Sequence, residues 1–312
     1  MAARECKSVR SAYGKTLAEL GRENKNIVAL DADLSCSTQT QIFAKEFPER
    51  FFNAGIAEQD LMTTAAGLAC TGKIPFVSTF AVFASGRAWE QIRNTICYSN
   101  LNVKIAATHC GITVGEDGAS HQALEDISLM RSIPNMRVIA PCDEAQTIAA
   151  IKYAAQINGP VYVRISRSNL PNVFESDTKF DFNKAIVMKE GTDVTILSYG
   201  ETMIEVLDCA TMLKDMGINA EVINVPCIKP IDKDTIINSA KKTKRVITVE
   251  NHSIIGGLGS AICELLSEDY PVKVTRIGIN DEFGQSGKAE DLMDFYGLSA
   301  KKLKDKILKV LK

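Results

Sequence analysis

Short apolar, β-branched runs return along this chain roughly every 20 to 30 residues: NIVALDAD (26–33), RFFNAG (50–55), IPFVSTF (74–80), NVKIAATH (102–109), MRVIAP (136–141) and GPVYVRIS (159–166). Between them, EQDLMTTAAGLACTG, HQALEDISLMRSI and DEAQTIAAIKYAAQIN space their apolar residues at helical intervals. Strands alternating with helices predict βα units and a largely parallel sheet covered on both faces. The polar, turn-rich stretch 169–191 breaks the rhythm and reads as a linker. A second series follows, with strands DVTILSYG, NAEVINV, RVITVEN and VKVTRIG. They alternate with helices at 202–216, 232–242 and 258–267 and with a helical tail to Lys312. The expected architecture is α/β, with two parallel-sheet-rich domains: residues 1–170, a linker at 171–190, and a smaller domain at 191–312.

Parallel sheets bind ligands at the carboxyl ends of their strands. The residues that follow the strands of the first domain are Asp31, Asp33, Ser37, Glu58, Phe80, Phe83, His109, Asp117, His121 and Arg167. The polar and aromatic residues of greatest chemical interest thus fall on one edge of the expected sheet.

Composition narrows the classes. With 46% hydrophobic and 24% charged residues the chain is ordinarily globular, and a net charge of −2 leaves no basic excess for phosphate backbones or anionic membranes. The opening MAARECKSVRSAYGK has no apolar signal core, and no run of about 18 apolar residues appears later. The nine cysteines are dispersed, odd in number and never in CxxC spacing, which disfavours a zinc site or a disulfide framework. A soluble, reduced, cytoplasmic protein is expected.

Each candidate has a structural reading beside a functional one. Glu58, in the first turn of a helix, either caps the helix dipole or is a buried carboxyl with the raised pKa of a proton donor. Phe80 and Phe83 either fill the core or form a platform for a flat ring. Asp33 and Ser37 either start a helix or line a ligand. Arg167 is either a surface arginine or a guanidinium free to bind an anion. The stretch GITVGEDGASHQ (111–122) is harder to explain structurally. It holds three glycines that let backbone approach a ligand, and it sets Asp117 and His121 four apart near a helix start. Of the three histidines, His252 in ENHSIIGGLGS reads as an ordinary satisfied side chain, and GGLGS as a glycine turn without the acid of a dinucleotide fingerprint.

Taken in order, DADLSCS, NAGIAEQ, IPFVSTFAVF, THCGITVGEDGASHQ and ISRSNLP resemble the C-terminal half of transketolase over residues 10 to about 170. The second domain resembles the transketolase C-terminal domain through weaker motifs. The resemblance implies thiamine diphosphate as cofactor and transfer of a two-carbon ketol unit between sugar phosphates. It puts Glu58 in the place of the glutamate that protonates the aminopyrimidine ring, Phe80 and Phe83 in the aromatic wall, and Asp33 and Leu34 in the segment lining the cofactor. Arg10, Ser37, His109 and Arg167 correspond to the sugar-phosphate cradle, and Asp117 and His121 to contacts with sugar hydroxyls near the reacting carbons, with His121 joining Glu58 as a catalytic candidate.

Two positions depart from the family. Gly86 stands where an aromatic is common, and Cys110 follows His109 where the family has Asp. The family's Gly-Asp-Gly motif, which with a later Asn holds Mg²⁺ and the diphosphate, is absent, since Glu116-Asp117-Gly118 belongs to the substrate loop. The resemblance therefore implies an N-terminal partner subunit carrying the Mg²⁺ ligands, in an assembly with two copies of each chain. The rival readings are a 1-deoxyxylulose 5-phosphate synthase, a 2-oxo acid dehydrogenase β-subunit, and a non-catalytic interaction subunit.

Overall fold

The computed structural model describes residues 5–311. Its strands are β1 (Cys6–Ser8), β2 (Ile27–Asp31), β3 (Phe51–Asn53), β4 (Ile74–Ser78), β5 (Lys104–Ala107), β6 (Arg137–Ile139) and β7 (Val161–Arg164). Then come β8 (Asn169–Pro171), β9 (Ile186–Lys189), β10 (Val194–Ser198), β11 (Ala220–Asn224), β12 (Cys227–Lys229), β13 (Val246–Ser253) and β14 (Val274–Ile279). A seven-stranded sheet runs β12-β6-β7-β5-β4-β2-β3, and a five-stranded sheet runs β14-β13-β10-β11-β9. Within the first, β2 to β7 pair in parallel and only β12 is antiparallel; in the second, only β9 is. Every residue of β2, β5, β7, β10 and β11 is buried, which is why these strands read as near-continuous apolar runs rather than alternating ones.

The expected linker is shorter than the sequence suggested, because strands occupy both of its ends. β8 pairs antiparallel with β1, and β9 adds an antiparallel edge to β11. Its aromatic residues are also anchored: Phe182 is 1% exposed and stacks on Tyr153 at 5.1 Å. Asp143 is fully buried and caps the helix Glu144–Gln156 through Gln146 N (2.8 Å). Its second oxygen accepts from Val173 N and Phe174 N (2.8 and 2.7 Å), fixing the chain as it leaves the first sheet.

The two halves share one interior. Ile105, Met130 and Val138 of the first and Leu197, Ile223 and Ile262 of the second lie in one apolar core. A buried polar junction crosses the same boundary. Arg164 donates to Asp126 (2.8 Å) and to the Asn251 carbonyl (2.9 Å), and the Tyr162 hydroxyl donates to Asp126 (2.9 Å). Beside it, Glu250 accepts from Leu258 N and Gly259 N at the start of the helix Leu258–Asp269 (2.7 and 2.8 Å). His252 is fully buried; its Nδ1 donates to the Ser253 carbonyl (2.6 Å) and its Nε2 accepts from Ser128 N (3.4 Å). One neutral tautomer satisfies both bonds, the ordinary histidine expected from sequence. Among the described residues no helix is long and apolar enough to cross a membrane.

Candidate active site

Strand order reverses twice along the first sheet. β3 lies to one side of β2 and β4 to the other, and the chain passes from β5 to β6 before returning to β7 between them. Crevices open at the carboxyl ends of strands at such reversals. The turns after β2 and β4 bring Asp33, Leu34, Ser37, Phe80 and Phe83 to the first crevice. The turns after β5 and β7 bring His109 and Arg167 to the same edge, where His109 meets Phe80.

Glu58 opens the helix Glu58–Cys70, where the helix dipole favours a carboxylate, yet it is only 2% exposed. Both of its oxygens accept from Arg87 Nη1 at 3.0 Å, and the Arg87 guanidinium lies 4.6 Å from the centre of the Phe83 ring. Glu58 is thus a buried carboxyl and not an exposed cap. The cationic partner was not anticipated. Arg87 ends a π-helical turn, Phe83–Arg87, whose wider winding carries it back over Phe83. Gly86, the departure from the family pattern, is exposed on that turn, and a Cβ there would meet nothing within 4 Å. On this chain Arg87, and not residue 86, is the neighbour that lies over Phe83.

Phe80 and Phe83 stack at 5.8 Å, and the His109 ring lies on Phe80 at 3.8 Å. His121 meets the same pair edge-on, 5.4 Å from Phe83 and 6.3 Å from Phe80. Phe80 is buried while Phe83 is half-buried, so the pair is core on one side and wall on the other. His109 adopts a left-handed backbone (φ 60°), a strained conformation for a non-glycine residue. Burial, with help from Arg10, Arg167 and His121, holds its pKa down to about 3, so the ring is neutral near pH 7; its Nδ1 shares a hydrogen bond with the Thr108 hydroxyl (2.9 Å). Cys110 turns into the interior, where its thiol donates to the Ile165 carbonyl (3.3 Å) and burial raises its pKa. The residue after His109 thus serves packing and does not face the crevice.

Arg10 reaches the crevice from the helix Val9–Glu23 and donates through Nη1 to the Ser37 carbonyl (2.8 Å). Its Nε is buried and finds no partner among the described residues, and burial followed by Arg167 lowers its pKa. Such an orphaned donor beside a second guanidinium suits an anion. The turn bearing Asp33, Leu34 and Ser37 is shaped by Asp31, which is fully buried. Its carboxylate accepts from Leu34 N (2.5 Å), Thr38 Oγ1 (2.7 Å) and Thr40 Oγ1 (2.9 Å), and burial raises its pKa. Asp33 itself is exposed, with φ 62°, and exchanges hydrogen bonds with Asn53 (3.1 Å each).

Arg167 is neither a bare surface arginine nor a wholly free guanidinium, the two readings that the sequence left open. Its Nη1 donates to the Val114 carbonyl and lies 3.1 Å from Glu116 Oε2, so the guanidinium is tied to the loop at 111–122. That loop begins with a 3₁₀ segment, Ile112–Asp117, and Gly111, Gly115 and Gly118 all take positive φ (71°, 82° and 75°). The three glycines are used for backbone that other residues resist. The expected helix start near His121 lies further on, at Asp126–Arg131; Gly111 N donates to the Ala123 carbonyl (2.9 Å), and residues 121–125 pass beside the loop as a turn and bends around that one bridge. Asp117 stands exposed on the loop's outer lip.

Phe80, Phe83, His109 and His121 form one wall, joined to Glu58 through Arg87; Arg10 and Arg167 act on His109, Ser37 accepts from Arg10, and Asp33 and Asp117 are exposed. Sequence reasoning missed Arg87, whose only signal was its place within a turn of Glu58's aromatic neighbour. A separate cavity of about 740 Å³ opens beneath the loop, between the two halves, and is lined by Thr113, Ser168, Glu201, Glu290 and Met293. Among the described residues no group of three or more His, Cys, Asp or Glu side chains is placed to hold a metal ion.

The fold and site define a protein of two α/β domains with its crevice at the carboxyl edge of the first. Residues 6–173 match the family model described as the transketolase pyrimidine-binding domain, and residues 183–303 match that of the transketolase C-terminal domain. The chain belongs to the transketolase family, as a C-terminal section. It is 53% identical over 310 residues to a putative transketolase C-terminal section of Methanocaldococcus jannaschii, covering 98% of this chain and 97% of that one. It is 38% identical to human transketolase over 93% of this chain, but only 47% of the human protein. A solved structure described as a split gene transketolase, an inactive β4 tetramer, superposes with a TM-score of 0.89 at 53% identity, covering 98% of this chain and 99% of the other.

Proposed function

We propose that this chain is the C-terminal subunit of a thiamine-diphosphate-dependent transketolase. It would help move a two-carbon ketol unit from a ketose phosphate to an aldose phosphate, in cytoplasmic sugar-phosphate metabolism. The observation that carries the reading is Glu58, a buried carboxylate at a helix start, joined through Arg87 to the Phe80–Phe83 wall. These residues suit an aminopyrimidine: a half-buried aromatic face to stack on, and a carboxyl able to hold a proton against a ring nitrogen.

When bound, thiamine diphosphate supplies the carbon nucleophile that accepts and passes on the ketol unit. The chain's own residues do the rest. Glu58 would hold a proton at the pyrimidine nitrogen, which requires Arg87 to share or yield its place both at the carboxylate and over the Phe83 ring. Phe80 and Phe83 fix the ring plane, and Asp33 and Leu34 line the neighbouring turn. Arg10, Ser37, His109 and Arg167 take the sugar phosphate, Asp117 and His121 bind sugar hydroxyls, and His121 handles a proton near the reacting carbons. The neutral His109 gains its proton more readily once a phosphate dianion lies beside it.

The diphosphate and its Mg²⁺ are assigned to an N-terminal partner subunit, in an assembly with two copies of each chain. The coverage of less than half of human transketolase supports this division of labour. So does the relative that is itself named a C-terminal section. The similar split gene transketolase is described as inactive in its β4 form, which fits a chain that needs a partner. The experiment mixes the purified chain with an N-terminal transketolase section, thiamine diphosphate and Mg²⁺. Ketol transfer is expected only in the mixture, and Glu58→Gln should lower it by about 10²–10⁴-fold without unfolding the chain. Robust transfer by the chain alone, or near-normal turnover in the Glu58→Gln mixture, would overturn the proposal.

A further inference from the structure

The loop at 111–122 is fastened from both halves of the chain, and the second half supplies several of its ties. Ile112 N donates to Asn251 Oδ1 (2.9 Å), and the Asn251 amide in turn donates to Glu201. Glu201 also accepts from Thr113 Oγ1 (2.7 Å) and Ser166 Oγ (2.5 Å). Further along, Ser286 Oγ donates to the Glu116 carbonyl (2.6 Å). A Cβ on Gly115 would lie 3.3 Å from the Gly287 carbonyl, and one on Gly118 would lie 3.5 Å from Ser286, so the segment 284–287 is laid directly along the loop.

The tightest fit is at Gln122, the residue after His121. The two consecutive side chains part company: His121 goes among the rings of Phe80 and Phe83, while Gln122 is 3% exposed. The Gln122 amide nitrogen lies within reach of three carbonyls, Ile112 (3.1 Å), Gly115 (3.4 Å) and Gln285 (3.0 Å). Its Oε1 is buried against Gly284, where any Cβ would stand only 1.7 Å away. Residue 284 therefore has to be glycine for Gln122 to lie where it does.

We propose that Gln122, seated against Gly284 and the 284–287 segment of the second domain, is a positioning residue that sets where the His121 imidazole stands. The second domain then serves the reaction without touching substrate, by fixing the loop from beneath. This rests on the reading of His121 as a group that meets the sugar. A misplacement of about 1 Å at such a group can cost about 10²-fold in rate.

The test uses histidine ring NMR, for which the chain is well suited because it has only three histidines. In Gly284→Ala the new methyl must displace Gln122, and the His121 ring resonances are expected to move relative to the aromatic pair, while those of His252, buried at the junction, stay in place. Ser286→Ala removes a single surface hydrogen bond and should shift His121 the same way by less, with Ser286→Thr restoring it; this pair keeps the proposal testable if Gly284→Ala does not fold. In the mixture with an N-terminal section, Gly284→Ala should lower kcat by up to about 10²-fold, and by equal factors for phosphorylated and unphosphorylated ketol donors. An unmoved His121 in the folded variants, or one that moves only together with His252, would overturn the proposal. A shifted His121 in a protein whose wild-type mixture transfers no ketol unit would uphold the positioning while refuting the transketolase reading.

Discussion

Glu58 and Arg87 illustrate how a single pair shapes the candidate chemistry. The carboxylate is almost wholly enclosed while its partner is half exposed, so the energetic weight falls on what happens to Glu58 when the arginine is gone. Arg87→Met is expected to cost about 1.5–3 kcal/mol in the isolated chain, the range for a hydrogen bond to a charged group. Adding Glu58→Gln should recover much of that loss, because the buried charge has gone as well. A double-mutant cycle by urea denaturation reads the coupling, and simple additivity would show that the pair contributes nothing. Arg167 poses a different question, because it both faces Arg10 and His109 and is tied to the loop. If it binds phosphate, Arg167→Ala should weaken phosphorylated sugars by roughly 10- to 150-fold, equivalent to about 1.5–3 kcal/mol, and affect hydroxypyruvate far less. Equal losses on both kinds of donor would assign Arg167 to the loop alone. The comparison complements Gly284→Ala, for which equal losses are expected.

Among the elements, Asp143 joins two tasks that sequence separates by 30 residues, capping one helix and anchoring the exit toward β9. Asp143→Ala removes the cap and leaves two backbone N–H groups without their acceptor. A loss of about 2–4 kcal/mol is expected in urea midpoints, against about 0.5–2 for a cap alone. A loss confined to the cap range would mean that the 171–174 segment finds other partners. The same contrast between local and distant interactions explains which features were legible in the sequence. The buried parallel strands were, since both of their faces are apolar, and so were the strand-end residues, since a parallel sheet puts its turns on one edge. The loop glycines were legible because little else uses three of them so closely. What escaped depends on pairings remote in sequence. β12 leaves the second half to pair with β6, and β9 becomes a strand only because β11 offers it an edge. Arg87 meets Glu58 through a π-helical turn that no periodicity announces. The non-helical course of 121–125 goes with the Gly111–Ala123 and Gln122–Ile112 bonds, not with any breaker within HQALE.

At the scale of the whole molecule, buried titratable groups, Glu250 and His252 at the junction between the halves and His109 at the crevice, couple folding to pH. Burial holds the pKa of His252 down to about 4, against the pull of Asp126, and that of His109 down to about 3; burial raises Glu250 to about 7. As pH falls below about 6.5, the unfolded chain binds protons on both histidines that the folded chain refuses, so their contribution is full above that pH and is lost toward 4 and 3. Glu250 acts in the opposite sense: its contribution is full below about 4.5 and is lost as pH rises through about 7. Between about pH 6.5 and 4.5 these groups leave a net difference of one proton, a loss of about 1.4 kcal/mol for each unit of acidification. His252→Gln preserves a donor and an acceptor for Ser253 and Ser128 but removes one titration. The difference in stability between wild type and variant should therefore slope by about 1.4 kcal/mol per pH unit over that window and flatten above it. Groups common to both proteins and remote from His252 cancel in this difference; Glu250, whose Oε2 lies 3.8 Å from His252 Nδ1, is the neighbour whose titration the substitution also touches. Urea midpoints from about pH 7.5 to 4.5 give the two curves. Parallel curves would mean that His252 takes its proton equally well folded and unfolded, and that the junction opens to water on the acid side before the chain unfolds.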